Sequence, residues 1–151
     1  MKAYLDTSVI NIYIFGRYSD IDGKMLIPIR KLFKLINARK IHVLVSLYTI
    51  QEIYSFCKKI FHPEDVGHIA KDALAELFKN EFELVGMLTR EERLLHSTRF
   101  ILNDQSDQPH AISAYLNNCN AIITYDAHFK KIESKISIYT PEEVISISPN
   151  L

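Results

Sequence analysis

Apolar residues fall along this chain in short β-branched runs that alternate with longer stretches of helical period. Lys2–Leu5, His42–Val45, Ala121–Thr124 and Ile136–Tyr139 are rich in Val, Ile and Tyr and read as strands. Phe82–Gly86 reads as a weaker fifth strand at a sheet edge. Between them, Met25, Ile29, Leu32, Phe33 and Ile36 form one apolar helix face, and Ile69, Ala70, Ala73, Leu74, Leu77 and Phe78 form another. Leu47, Ile50, Ile53, Tyr54 and Cys57 predict the core face of a helix over 47–57. Thr89-Arg90-Glu91-Glu92 reads as a capping box, opening a helix that turns Leu94, Leu95, Thr98, Ile101 and Leu102 inward. Thr140-Pro141-Glu142-Glu143 reads as a second box, with Pro suited to the first helical position. His62-Pro63 marks a helix boundary within one domain spanning residues 1–151, which has no repeat and no low-complexity tract. This alternation predicts an α/β three-layer sandwich around a parallel sheet of about five strands.

Right-handed crossovers place the carboxyl ends of parallel strands on one rim, where α/β proteins keep their ligands. Asp6 follows the run Tyr4-Leu5, and Asp126 follows the run Ala121–Tyr125, so both acids belong to that rim if their strands are neighbours. Each also suits the N-cap of a following helix, as Thr7 and Ser8 do. Glu52 points almost opposite the predicted core face of its helix, which fits a solvated surface or the wall of a cleft. Its neighbours one turn away, Tyr48 and Phe56, favour the cleft. Asp107 precedes Pro109, which is tolerated only in a first turn, so Asp107 lies at or near an N-cap. Asp104, three residues earlier, is able to replace or assist it. His110, three residues later, is placed to orient the Asp107 carboxylate, to touch substrate, or to serve as an ordinary helix residue.

Clustered, these acids would repel one another. Two unit charges about 4 Å apart cost about 4 kcal/mol at an effective dielectric near 20. A cluster therefore calls for divalent cations, and oxygen ligands favour Mg²⁺ or Mn²⁺ over zinc, whose usual ligand spacing is missing. Phosphodiester chemistry is the foremost use of such a site. The 151 residues are 48% hydrophobic, enough for one substantial core, and 18 basic against 18 acidic residues give no net charge. No global basic field advertises nucleic acid, so phosphate binding has to come from metal or from local patches. Arg17, Lys58, Lys59, Lys130 and Lys131 are such basic positions, or a solvated face. The apolar stretch Ile10–Phe15, with Tyr18 beyond it, is a candidate groove for a peptide or a second protomer. Cys57 and Cys119 read as free thiols of a reducing cytosol. No signal peptide and no span of ~20 apolar residues is visible, so a cytoplasmic protein without membrane contact is expected. No P-loop, GxGxxG or nucleophile elbow appears.

An ordered set of motifs resembles the PIN-domain family, whose members include the ribonuclease toxins of VapBC toxin–antitoxin modules. The set is Tyr4-Leu5-Asp6-Thr7-Ser8-Val9-Ile10, Thr49-Ile50-Gln51-Glu52-Ile53, Asp107-Gln108-Pro109-His110-Ala111-Ile112-Ser113-Ala114 and Ile123-Thr124-Tyr125-Asp126-Ala127-His128-Phe129. One departure is Gln108-Pro109, where the family usually begins that helix with small residues. The resemblance implies strand order 3-2-1-4-5, with the strand near residues 2–5 central. It implies that Asp6, Glu52, Asp107 and Asp126 line one nuclease pocket holding Mg²⁺ or Mn²⁺, supported by Ser8 and Thr124, with Asp104 and His110 nearby. Asp6 would be the principal ligand, and Glu52 would bind metal or position the attacking water. The implied activity is endonucleolytic RNA cleavage by the toxin of a type II toxin–antitoxin pair, with an antitoxin as partner and a homodimer as in many relatives. The alternative is a PIN-like module that binds RNA or protein without cutting. A metal-dependent phosphatase on another α/β fold ranks third.

Overall fold

The computed structural model describes residues 1–16 and 23–147, so Arg17 and Tyr18 lie outside the described residues. Its elements run β1 (Lys2–Leu5), α1 (Thr7–Phe15), α2 (Gly23–Asn37), β2 (His42–Ser46), α3 (Leu47–Ile60), α4 (Pro63–Leu77), β3 (Glu83–Val85) and α5 (Arg90–His96). They continue through α6 (Gln108–Leu116), β4 (Ala121–Ile123), a 3₁₀ segment (Ala127–Ile132), β5 (Ser137–Tyr139) and α7 (Pro141–Ile147). The strands form one parallel sheet of order β3-β2-β1-β4-β5, as the resemblance implies.

A parallel sheet is covered on both faces, and this explains why its strands are apolar throughout rather than alternating with polar residues. Ala3 and Leu5 of β1 face one core with Val43, Val45, Ala121 and Ile123, beneath Val9 and Ile10 of α1, Ile29, Leu32 and Ile36 of α2, and Ile53 and Cys57 of α3. Tyr4, Leu44, Ile122 and Ile138 point the other way, toward Phe100, Ala111, Ile112, Phe129 and Ile132. The period-two pleat thus divides the protein into three layers. Registry sets the rim: Tyr4 pairs with Ile122 and Leu5 with Ile123, and the Asp6 amide donates to the Ile123 carbonyl at 3.0 Å. The first acid therefore leaves the sheet directly beside the end of β4.

Two apolar faces differ from their prediction. On α3 the buried positions are Thr49, Ile53 and Cys57, whereas Leu47 and Tyr54 are exposed. The core face is rotated toward the rim, so Glu52 is half-buried rather than opposite the core. The helix expected to carry Leu94 through Leu102 ends at His96, and Leu94, Leu95 and Ile101 are exposed. The chain turns after His96, where the Arg99 amide bonds to its carbonyl, and Phe100 and Leu102 fill the core instead. Ile10, Ile14 and Phe15 of the proposed groove stretch also belong to the core.

Both capping boxes are present. Thr89 accepts from the Glu92 amide at 3.1 Å while the Glu92 carboxylate accepts from the Thr89 amide at 2.7 Å, and Thr140 and Glu143 repeat the pattern. Because α5 buries none of its residues, its cap is its main anchor. Thr89→Ala is expected to cost about 1 kcal/mol locally, speeding amide exchange in α5 about fivefold. Native-state hydrogen exchange would measure this directly. Cys57 and Cys119 are both free. No helix among the described residues is long and apolar enough to cross a membrane.

Candidate active site

Asp6 ends β1 and caps α1, so part of its capping alternative holds: its Oδ2 accepts from the Ser8 amide at 3.2 Å. The same oxygen accepts from the Ser8 hydroxyl at 2.6 Å and the Thr124 hydroxyl at 2.8 Å. All these bonds arrive at Oδ2, and Oδ1 receives none of them. Ser8 and Thr124 also accept from the backbone beyond β4, through the Tyr125 amide at 3.1 Å and the Asp126 amide at 2.8 Å. The two supporting hydroxyls thereby lock the ends of the two central strands together.

Asp126 caps the 3₁₀ segment, its Oδ1 accepting from the His128 amide at 2.8 Å. Asp107 stands at the N-cap position of α6 but has helical backbone angles and makes no capping bond. Its Oδ2 is buried without a hydrogen-bond partner. The departure at Gln108-Pro109 leaves this carboxylate in place. Gln108 turns away and donates to the Ser97 and Phe100 carbonyls at 2.9 and 2.8 Å, while Pro109 sits where no amide hydrogen is needed.

Ligand atoms of Asp107, Asp126 and His128 lie within 4.8 Å of one another. His128 Nδ1 is 3.4 Å from Asp126 Oδ1 and 3.8 Å from Asp107 Oδ2. Burial pushes the Asp107 carboxyl up to about 6, and the charges of Asp126, Asp104 and Asp6 push the same way. Asp6 therefore shares the electrostatic field of this cluster. Asp104 stands exposed at its margin, held below the usual carboxylate range by the amide and hydroxyl of Ser106.

Glu52 is placed differently from the other acids. Its Oε1 meets His110 Nε2 at 3.0 Å, and its Oε2 accepts from the Thr7 hydroxyl. Burial alone would raise Glu52, but the hydrogen bond and charge of His110, with the Thr7 hydroxyl, hold it below its ordinary value. Burial likewise works against a charged His110, yet Glu52 holds it above its ordinary value. His110 thus orients Glu52; its two ring nitrogens face Glu52 and the Tyr4 hydroxyl rather than Asp107.

A carboxylate oxygen buried without a donor, beside a second acid and within the field of a third, suits a divalent cation. The residues present fit an oxygen-rich site of that kind, with one imidazole at its edge.

The PIN-domain family model matches residues 2–128, which takes in the first three motifs and the fourth as far as His128. The chain belongs to the PIN-domain family. Against curated protein sequences this PIN domain has no significant match. Solved structures share its fold at low identity. VapBC2 from Rickettsia felis, bound to a DNA fragment from their promoter, is 17% identical with a TM-score of 0.63, over 93% of this chain and 98% of that one. DNA-bound VapBC from Salmonella typhimurium is 20% identical with a TM-score of 0.62, over 93% and 98%. FitAcB from Neisseria gonorrhoeae is 16% identical with a TM-score of 0.58, over 93% and 98%.

Two residues of this candidate site carry little signal in the sequence. His128 has the i+2 spacing from Asp126 that a capping turn brings back onto the cap, a signal easily passed over. Thr7 suits a cap by its place in the sequence, yet its hydroxyl donates to Glu52 across α1 and α3.

Proposed function

We propose that this PIN domain is a divalent-metal-dependent endoribonuclease, the toxin half of a toxin–antitoxin pair. The observation that carries the reading is the buried, unpartnered Asp107 oxygen beside Asp126 and in the field of Asp6. Asp6, Asp107 and Asp126 would hold Mg²⁺ or Mn²⁺, with His128 at the margin. A cation there lowers the pKa of a bound water and neutralises charge growing on phosphate oxygens. Glu52, oriented by His110 and Thr7, would accept a hydrogen bond from the attacking water. Ser8 and Thr124 would keep the Asp6 carboxylate aimed, and Asp104 would add negative potential at the mouth. Lys130 and Lys131 follow Asp126 on the 3₁₀ segment and would meet the RNA backbone beside the cut.

The partner reading rests on relatives that are VapBC complexes. A groove of about 430 Å³ lined by Ile14, Phe15, Phe61, Ile69 and Ala73, with Asp72 and Glu76 on its rim, offers such a partner an apolar floor. A small upstream reading frame encoding a DNA-binding protein would support the pairing, and a homodimer and a cytoplasmic location accompany it.

The test is cleavage of single-stranded RNA by metal-stripped protein with Mg²⁺ or Mn²⁺ added back, alongside a phosphomonoester. Metal-restored RNA cleavage is expected. RNA binding without cleavage at any metal concentration would instead establish the non-catalytic module, and phosphomonoester turnover alone would establish the phosphatase.

Metal binding should depend on pH in a set direction. Asp107 has a folded value near 6, above its ordinary 3.8, so its contribution to stability is complete below 3.8 and lost as pH rises through about 6. A cation that binds ionised Asp107 restores stability on the alkaline side. At a hundred times its dissociation constant, Mn²⁺ adds about 2.7 kcal/mol, or roughly 5–10 °C in melting temperature for this size. The Mn²⁺-induced shift should be large near pH 7.5 and shrink toward about pH 5, as thermal melts would show.

A further inference from the structure

Behind Glu52 and His110 the run of buried polar groups continues inward through Tyr4 to Ser46. The Ser46 hydroxyl is 2.5 Å from the Tyr4 hydroxyl, which is 2.7 Å from His110 Nδ1, and His110 Nε2 reaches Glu52 Oε1 at 3.0 Å. Ser46 and Tyr4 are fully buried and His110 is 1% exposed, whereas the Glu52 side chain is 34% exposed and ends the run at the pocket. Four separate elements supply the groups: the end of β2, the middle of β1, the first turn of α6 and the second turn of α3.

The chemistry gives the run a direction. An ionised carboxylate only accepts, so His110 Nε2 carries a proton and donates it. With a neutral ring, Nδ1 accepts from the Tyr4 hydroxyl and Tyr4 accepts from Ser46. With a charged ring, Nδ1 donates to Tyr4 and Tyr4 donates to Ser46. Either way each of the three hydrogen bonds has one donor and one acceptor, and the imidazole plane is fixed at both nitrogens. Burial raises the Tyr4 hydroxyl far above its usual range, which keeps it neutral and able to serve in both directions. Thr7 holds the second Glu52 oxygen from the α1 side. Each carboxylate oxygen keeps a further lone pair, and its direction follows from that of the ring.

A merely structural network would need only to satisfy its own members. This one has its interior end sealed and its other end on a pocket acid, and its hydroxyls could be replaced by apolar groups at little cost if orientation were unimportant. We infer that Tyr4 and Ser46 are positioning residues, which act through His110 to fix the Glu52 carboxylate for its work in the pocket. The inference rests on the ribonuclease reading for that work, but its geometric half stands apart from it.

Tyr4→Phe removes one hydroxyl and keeps the buried ring, and Ser46→Ala removes the next group along. Outer-sphere partners of this kind are typically worth about 10- to 100-fold in activity. Tyr4→Phe should lower kcat for RNA by about tenfold or more, and Ser46→Ala by less, with KM and Mn²⁺ affinity unchanged. His110→Gln, which retains a donor toward Glu52, should recover part of the activity lost in His110→Ala. Long-range proton–nitrogen spectra supply a readout without catalysis. The His110 Nε2 proton should be downfield and slow to exchange in the wild type, and fast-exchanging in Tyr4→Phe. If Tyr4→Phe leaves both kcat and that proton unchanged, the positioning role is overturned. A changed proton with unchanged kcat overturns the catalytic half alone, and a wild type that cuts no RNA refutes the ribonuclease reading while the spectra still judge the geometry.

Discussion

Replacing Asp6 with Asn should abolish RNA cleavage, on the order of a thousandfold or more in kcat, while leaving the fold intact. Asn has the same shape and an oxygen that can still accept from Ser8 and Thr124, so the clamp between the ends of β1 and β4 survives. What disappears is a unit of negative charge beside Asp107 and Asp126. The electrostatic consequence can be read separately, because Asp6 is one of the charges raising Asp107. In the variant Asp107 should titrate closer to its ordinary 3.8. Cleavage would be followed on labelled RNA and folding by thermal melting. Metal-dependent cleavage that survives in Asp6→Asn, with contaminating nuclease excluded, would remove Asp6 from the machinery.

His110→Ala should be the most destabilising change at the site. It leaves the Tyr4 hydroxyl buried with one partner fewer, strips Glu52 of its cation and opens a cavity beneath α6. Removing one member of a fully buried pair costs about 3–5 kcal/mol, and partial exposure of Glu52 puts this case at the lower end, about 3 kcal/mol. For a chain of this length that corresponds to roughly 6–12 °C in melting temperature. The sign of the pH dependence follows from the two shifts. His110 is raised above its ordinary 6.5, so its contribution is complete below 6.5 and lost as pH rises through its higher folded value. Glu52 is lowered below its ordinary 4.5, so its contribution is present above 4.5 and lost as pH falls through its lower folded value. The gap between wild type and His110→Ala should therefore be widest between these two ordinary values and narrow on either side. A gap that grows steadily toward alkaline pH would contradict the ion pair.

Strands were legible because burial on both faces leaves an unmistakable apolar run, and β1 and β4 end where their last Val, Ile or Leu residues end. The rim acids Asp6 and Asp126 were legible for the same reason: a strand end is a feature of sequence. Helix faces proved less readable where a rim intervened. The α3 face turned toward the pocket because Thr49, a polar residue, is buried there, and hydrophobic period cannot register that. Leu94 and Leu95 kept helical spacing without a core to meet, since the chain turns at His96 to deliver Phe100. The pairing of His110 with Glu52 joins α6 to α3 across 58 residues, and no local pattern encodes it. As a site member Asp107 depended on family pattern; Pro109 correctly marks it as the N-cap position, but its side chain makes no capping bond and stays available to the pocket.

The proposed chemistry depends on the unpartnered Asp107 carboxylate and its neighbours forming a divalent-cation site. Calorimetric titration of Mn²⁺ into metal-stripped protein, at a pH about one unit or more above the raised Asp107 value, tests it most directly. Saturable binding is expected, weakening at least about tenfold in Asp107→Asn and in Asp126→Asn. No saturable heat in the wild type, or equal affinity in both variants, would contradict it.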